Sequence, residues 1–366
     1  MFHPERPVSD EFLTAVAEAI TGFLESQREV LAGIGQGAAP LADLAASFTA
    51  GGKRLRPAFC AWGWIAVAGV PSDPAALVRA AASLDVLHVS ALLHDDVMDA
   101  SDTRRGQPSA HRQFAALHAG HGLRGDAEAF GRGGAILLGD LLLVWSQELF
   151  RRSGLPAEAI ERAMPVMEAV LTEVTTGQFL DILAQARPAL DARRSPEQVL
   201  AQVRQVLEYK TARYTVIRPL QIGASLAGGS AEALAALGGY GSAVGRAFQL
   251  RDDVLGVFGD AEVTGKPAGD DLREGKLTAL LAHALHLAGE QEATVLAGLA
   301  GRRDLTDAEV SQARRIITGS GALATVEAEI ADTTAAAVAG LATAPITDEA
   351  RQALTNLAHA AADRSS

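Results

Sequence analysis

His94-Asp95-Asp96-Val97-Met98-Asp99 closes an apolar stretch that opens near Ser72-Asp73-Pro74, and it constrains the chain more than any other feature. On a helix, residues four apart share a face, so Asp95 and Asp99 aim two carboxylates at one point while Asp96 lies about 100° round. Like charges at this spacing destabilise a helix by a few tenths of a kcal/mol, and burying them costs far more. The fold must therefore bring this helix end to a cation, and a divalent metal suits two facing carboxylates. Arg104-Arg105, just beyond, points to an anionic ligand beside the metal.

The rest of the chain can supply the partner helices. Of its 366 residues, 48% are apolar and only 5% aromatic, with Ala and Leu abundant, which favours helices packed on small side chains and predicts an all-α protein. No repeat and no linker long enough to separate domains occurs, so residues 1–366 read as one domain with its core at about 10–340. The net charge of -12 repels nucleic acid and anionic lipid, so an anionic ligand needs local cations. A single cysteine, Cys60, excludes an internal disulfide framework and fits a reducing cytoplasm. The N-terminus lacks a signal-peptide pattern, and Asp140 breaks the most apolar segment, 135–145; no membrane span is expected.

Taken in order, residues 9–34 carry Phe12, Val16, Ile20, Phe23 and Leu24 at helical spacing, a peripheral or dimer-packing helix. Gly51-Gly52-Lys53-Arg54-Leu55-Arg56-Pro57 reads as a loop entering a helix, with Lys53 and Arg56 on one face if helix begins there. It is no nucleotide-binding P-loop, because Arg54 follows the lysine and no strand precedes it. Leu77, Leu84, Leu87, His88 and Ala91 track the face that Asp95 continues, which places His88 two turns before the aspartates. Residues 101–133, polar and glycine-rich, read as a surface loop; their histidines lack the spacing of a metal cluster. Helices are expected at about 131–152 and 156–186, the second kinked or begun at Pro165 and carrying Thr175-Thr176-Gly177-Gln178 and Asp181, which could line a cavity. Capping boxes open helices at Ser195 and Thr306.

A second aspartate pair, Asp252-Asp253, ends the apolar helix that carries Gln249, 157 residues after Asp95. If the two helices face each other across a bundle, they form an oxygen-only site that selects a hard cation such as Mg²⁺, completed by substrate phosphates. The cations fall into two groups, Lys53, Arg56 and Arg105, and Arg104, Lys210, Lys266 and Lys276, so two anionic groups bound side by side are expected. Aliphatic helix faces below suggest hydrocarbon tails.

These ordered motifs, Gly51 to Pro57, Asp95 to Asp99 with Arg104-Arg105-Gly106, Lys210-Thr211, Gln249, Asp252-Asp253, and Lys266 with Lys276, resemble those of trans-isoprenyl diphosphate synthases of the polyprenyl synthetase family. The resemblance implies an all-α bundle around a deep cavity, usually a homodimer. By it, Mg²⁺ ions held by Asp95, Asp99 and Asp252, with Asp96 and Asp253 adjacent, bridge an allylic prenyl diphosphate that Arg104, Lys210, Lys266 and Lys276 also hold. Isopentenyl diphosphate falls to Lys53, Arg56, His88 and Arg105. The carbonyls of Lys210 and Thr211 and the Gln249 amide oxygen stabilise the allylic carbocation. Two positions depart from the pattern: Gly256 stands where many relatives have a third aspartate, with Asp260 a possible substitute, and Leu277 replaces a basic residue. Small Ser90 and Ala91, just before Asp95, leave the tail's path open where short-chain synthases tend to carry an aromatic plug. With a floor at Leu142, Trp145 or Phe150, about one helical turn per isoprene unit, the product is expected near C20, geranylgeranyl diphosphate. Farnesyl or longer products are the alternatives. A class I terpene cyclase needs no isopentenyl pocket, a helical scaffold gives no reason for buried like charges, and a di-iron bundle needs Glu-x-x-His pairs that are absent.

Overall fold

The computed structural model describes residues 1–188, 194–259 and 269–363, and they form an all-α protein with one two-stranded ribbon. Helix α1 (Asp10–Ile34) is capped by the Ser9 hydroxyl and buries Phe12, Val16, Ile20, Leu24 and Leu31 along one stripe. After α2 (Ala39–Thr49), α3 (Leu55–Ala68) starts directly behind Arg54, which sits in the left-handed region at φ 48°. Lys53 therefore precedes the helix and does not share a helical face with Arg56.

Helix α4 (Ala75–Met98) is the axis of the fold, buried on most sides, and begins one residue later than the sequence suggests, with Pro74 as its cap. It is long and apolar enough to cross a membrane by length and composition, but 72% of that window lies buried inside the protein, as in a core helix. Residues 101–133 are not the expected surface loop: a ribbon pairs Thr103–Arg104 with Gln107–Pro108, and α5 (Ala110–Gly120) buries His111, Phe114 and His118. One of the glycines that suggest a loop, Gly131, lets α5 and α6 (Ala127–Arg151) touch, since a Cβ there would lie 2.2 Å from the His111 carbonyl oxygen.

Helix α7 (Ala157–Gln185) runs through Pro165. Helix α8 (Pro196–Val206) opens with the expected capping box and passes into a π-helical segment, Leu207–Ile217, before α9 (Arg218–Leu226). Then follow α10 (Ala231–Phe258), short α11 (Asp270–Glu274), α12 (Ala279–Leu287), α13 (Glu290–Leu299), α14 (Asp307–Gly319), α15 (Ala322–Leu341) and α16 (Asp348–Ala362).

Three apolar clusters hold these helices. The largest joins α1 to α6 with the front of α10 and α16 through Phe12, Trp62, Leu138 and Leu357. A second joins the back of α10 to α11 through α15, around Leu250, Leu272, Leu296 and Ile317. A third, with Leu84, Leu87, Phe150, Met167 and Tyr214, lies between α4, α6, α7 and the π-helical segment.

Candidate active site

The end of α4 and the end of α10 meet at a cavity of about 360 Å³ lined by Asp95, Asp181, Lys210, Thr211, Gln249, Asp252, Asp253, Asp271 and Lys276. The two carboxylate clusters that the sequence separates by so many residues are thus brought to one place. Gln178 donates to Asp95 at 2.7 Å, and the Lys210 ammonium lies 3.3 Å from Asp95 and 2.5 Å from Asp181. Burial opposes ionisation of Asp95, yet Lys210, Lys276 and Arg104 hold its carboxyl below the usual range. Asp99 is pushed up to about 6 by burial and by the neighbouring Asp95 charge, and the Lys276 ammonium lies 3.9 Å away. Of the polar residues of α7 expected to line a cavity, Asp181 does so and Gln178 reaches Asp95 at its edge, whereas Thr175 and Thr176 are exposed. Gly177 permits that approach, because a Cβ there would lie 2.5 Å from the Lys210 nitrogen.

Asp96 is set apart from the metal-holding role the sequence groups it with. It is buried against Arg104, whose Nε donates to it at 2.9 Å, and its second oxygen has no hydrogen-bond partner. Asp253 likewise anchors rather than reaches out: one oxygen accepts from the Gln249 amide at 2.8 Å, the other from the Ala279 N–H at 3.3 Å. Burial, with the nearby Asp271 charge, pushes it up to about 8. Gln249 in turn accepts from the Thr211 hydroxyl at 2.6 Å, so its amide oxygen is oriented through α10 and the π-helical segment together. Lys210 and Thr211 sit in the π-helical segment, a local irregularity common at functional sites and absent from residue periodicity.

Gly256 has a local reason. A Cβ there would lie 2.0 Å from an Asp271 carboxylate oxygen, so the space vacated by the missing aspartate is filled by a carboxylate from α11. Asp260 and Lys266 lie outside the described residues. Leu277 lines the cavity and packs on the second apolar cluster.

The second cationic group also assembles. Arg56 stacks over Tyr214 at 4.2 Å and donates to Thr215 at 2.8 Å, while its buried Nε has no partner. The Tyr214 hydroxyl and His88 Nδ1 lie 3.2 Å apart, and the Arg105 guanidinium lies against Gly52, beside Lys53. Burial, then the charges of Arg56 and Arg105, hold His88 well below its ordinary range, so it is neutral. Of the two small residues above Asp95, Ala91 joins the third apolar cluster, whereas Ser90 turns to α6 and donates to the Gly139 carbonyl at 2.7 Å. Phe150 also belongs to that cluster; Leu142 and Trp145 pack in the first.

The donors fit a hard cation: carboxylate oxygens of Asp95, Asp99 and Asp252, with no cysteine or histidine among them. Among the described residues no trio of acidic or histidine side chains is placed to hold an ion alone.

Comparison with known proteins agrees with this geometry. The polyprenyl synthetase family model matches residues 39–317. The crystal structure of geranylgeranyl pyrophosphate synthase from Corynebacterium glutamicum, complexed with isoprenyl diphosphate and magnesium, superposes with a TM-score of 0.90 at 40% identity, covering 97% of this chain and 99% of that one. The short chain isoprenyl diphosphate synthase of Methanothermobacter thermautotrophicus is 33% identical over 70% of each chain. The nonaprenyl diphosphate synthase of Mycobacterium tuberculosis is 32% identical over 76% of this chain and 72% of its own. With its paired aspartate helices and two cationic subsites, the chain belongs to the polyprenyl synthetase family, as a trans-isoprenyl diphosphate synthase.

Proposed function

We propose that this prenyltransferase is a Mg²⁺-dependent geranylgeranyl diphosphate synthase, condensing isopentenyl diphosphate with an allylic prenyl diphosphate to a product of about C20. The observation that carries it is the pairing of one carboxylate-lined cavity with a separate, carboxylate-poor cluster of Arg56, Arg105 and neutral His88. The first suits a metal-bridged diphosphate, the second a diphosphate bound by cations alone. A cyclase requires only the first.

Bound Mg²⁺ supplies charge stabilisation for the leaving diphosphate. Lys210, released from Asp95 and Asp181, and Lys276 are placed to bind the same oxygens. As the allylic C–O bond breaks, the Gln249 oxygen and the backbone carbonyls of Lys210 and Thr211 face the developing carbocation; because Thr211 and Asp253 already fix Gln249, little reorganisation is needed. The isopentenyl double bond then forms the new C–C bond, and the proton it sheds goes to the departing diphosphate. Tail length is limited in this reading by the third cluster, where Ala91 leaves room one turn below Asp95 and Phe150 closes the floor.

We further propose a cytoplasmic homodimer. Exposed Leu137 and Val144, seven apart on α6, and Val30 and Ile34 on α1 offer an apolar surface that a second copy would cover. Product analysis after supplying isopentenyl diphosphate with each allylic primer tests the function. A C20 prenyl diphosphate is expected; a cyclic hydrocarbon from geranylgeranyl diphosphate alone would replace the reading with a cyclase.

A further inference from the structure

The carbonyls of a helix's last turn have no partner within the helix. At the end of α4 one such group is the Asp99 carbonyl, and it is met from a segment distant in the sequence: the Arg303 guanidinium donates to it at 2.7 Å. The carbonyls of Asp95 and Asp96, just before it, are already met by the Asp99 and Ser101 N–H groups. Ala100 follows at φ 52°, a left-handed conformation that a non-glycine residue disfavours and that needs support from its surroundings.

The segment presenting Arg303, between α13 and α14, is itself pinned. The Gly301 N–H donates to Leu272 at 2.8 Å, Leu305 is buried in the second apolar cluster, and Arg302 pairs with Glu309 at 2.7 Å. Gly301 also packs on Gly275, where a Cβ would lie 2.8 Å from the Gly301 Cα, immediately before Lys276. One short segment of the second cluster therefore governs two contacts with Asp99: Arg303 on its carbonyl and, through the Gly275 turn, Lys276 facing its carboxylate.

We propose that Arg303 is a positioning residue of the synthase: it caps α4 and fixes Asp99, and so the first carboxylate pair, against the α10 side of the cavity without touching substrate. The inference rests on the synthase reading above. Being exposed, the hydrogen bond adds little to global stability, so its effect falls on ligand affinity. Substitutions in the supporting layer of a metal site typically cost about tenfold or more in affinity.

The test compares Arg303→Ala and Arg303→Lys with the unsubstituted protein. Calorimetry measures binding of the non-ionising thiolo analogue of geranyl diphosphate in Mg²⁺, kinetics gives KM for isopentenyl diphosphate, and thermal denaturation gives Tm. Arg303→Ala is expected to weaken analogue binding about tenfold while the isopentenyl KM and Tm stay unchanged, and Arg303→Lys, which keeps a charged donor, to recover most of the loss. Unchanged analogue affinity in Arg303→Ala, or a loss shared equally by both subsites, overturns the inference. Absence of Mg²⁺-dependent analogue binding in the unsubstituted protein instead overturns the synthase reading, and the inference with it.

Discussion

Asp95 and Asp99 are balanced in this protein by Lys210 and Lys276, so removing one carboxylate relieves repulsion as well as deleting a ligand. Asp95→Ala is expected to lower turnover by about a hundredfold or more, on the scale of losing one transition-state stabiliser, with thermal denaturation showing an intact fold. Retained turnover would refute the metal role. Gly256 leads to a stability prediction: restoring the family's aspartate there drives a Cβ onto Asp271. Gly256→Asp is expected to destabilise by about 1–3 kcal/mol in chemical denaturation, as overpacking does, and a second change, Asp271→Gly, to relieve it. For His88 the sign follows from burial. The unfolded chain takes up a proton near the ordinary value of 6.5 while the folded one does not until well below it. Stability therefore falls as pH drops through 6.5, at up to about 1.4 kcal/mol per pH unit. His88→Gln should flatten that acid limb in pH-dependent denaturation. At this scale the sequence was informative wherever side chains repeat in a local pattern. It could not reveal Asp271 filling the Gly256 space, or Asp96 and Asp253 as anchors for Arg104 and Gln249, because those depend on neighbours distant in the chain.

Helices with clear caps and stripes, α1, α8 and α14, were legible because the cap and the apolar period are local. Helix α5 was not. Its glycine-rich flank imitates a loop, while Gly131 and Gly134 serve the contact between α5 and α6. The π-helical segment was equally hidden, for no residue period marks it and its close neighbour, α7 at Gly177, is distant in the sequence. Ala91 belongs to this scale, since a side chain there meets α7 and the π-helical segment through the third cluster. Ala91→Phe is expected to shorten the main product from C20 toward C15, by chromatography of the dephosphorylated prenols. An unchanged product would move the floor elsewhere. Ser90, tied to α6, should matter less to length.

For the whole molecule, the apolar face of α6 predicts assembly. Leu137→Glu, at a residue 64% exposed in one chain, is expected to shift a dimer to monomer in sedimentation velocity without lowering helix content. A variant sedimenting as the unsubstituted protein does would place the interface elsewhere. Contacts between distant segments were the least legible, as where Arg303 reaches Asp99 across 204 residues of sequence. That contact spans two apolar clusters which share α10, the front half lying in one and Leu250, Val254 and Val257 in the other. The cavity lies beside this seam, and α15 and α16 also bridge it, with Ala322, Val326 and Ile330 in the second cluster and Ala337, Leu341 and Leu357 in the first. A ligand gripped from both banks therefore ties together two cores that three helices already join, so its binding is expected to raise the thermal stability of the whole molecule as one unit.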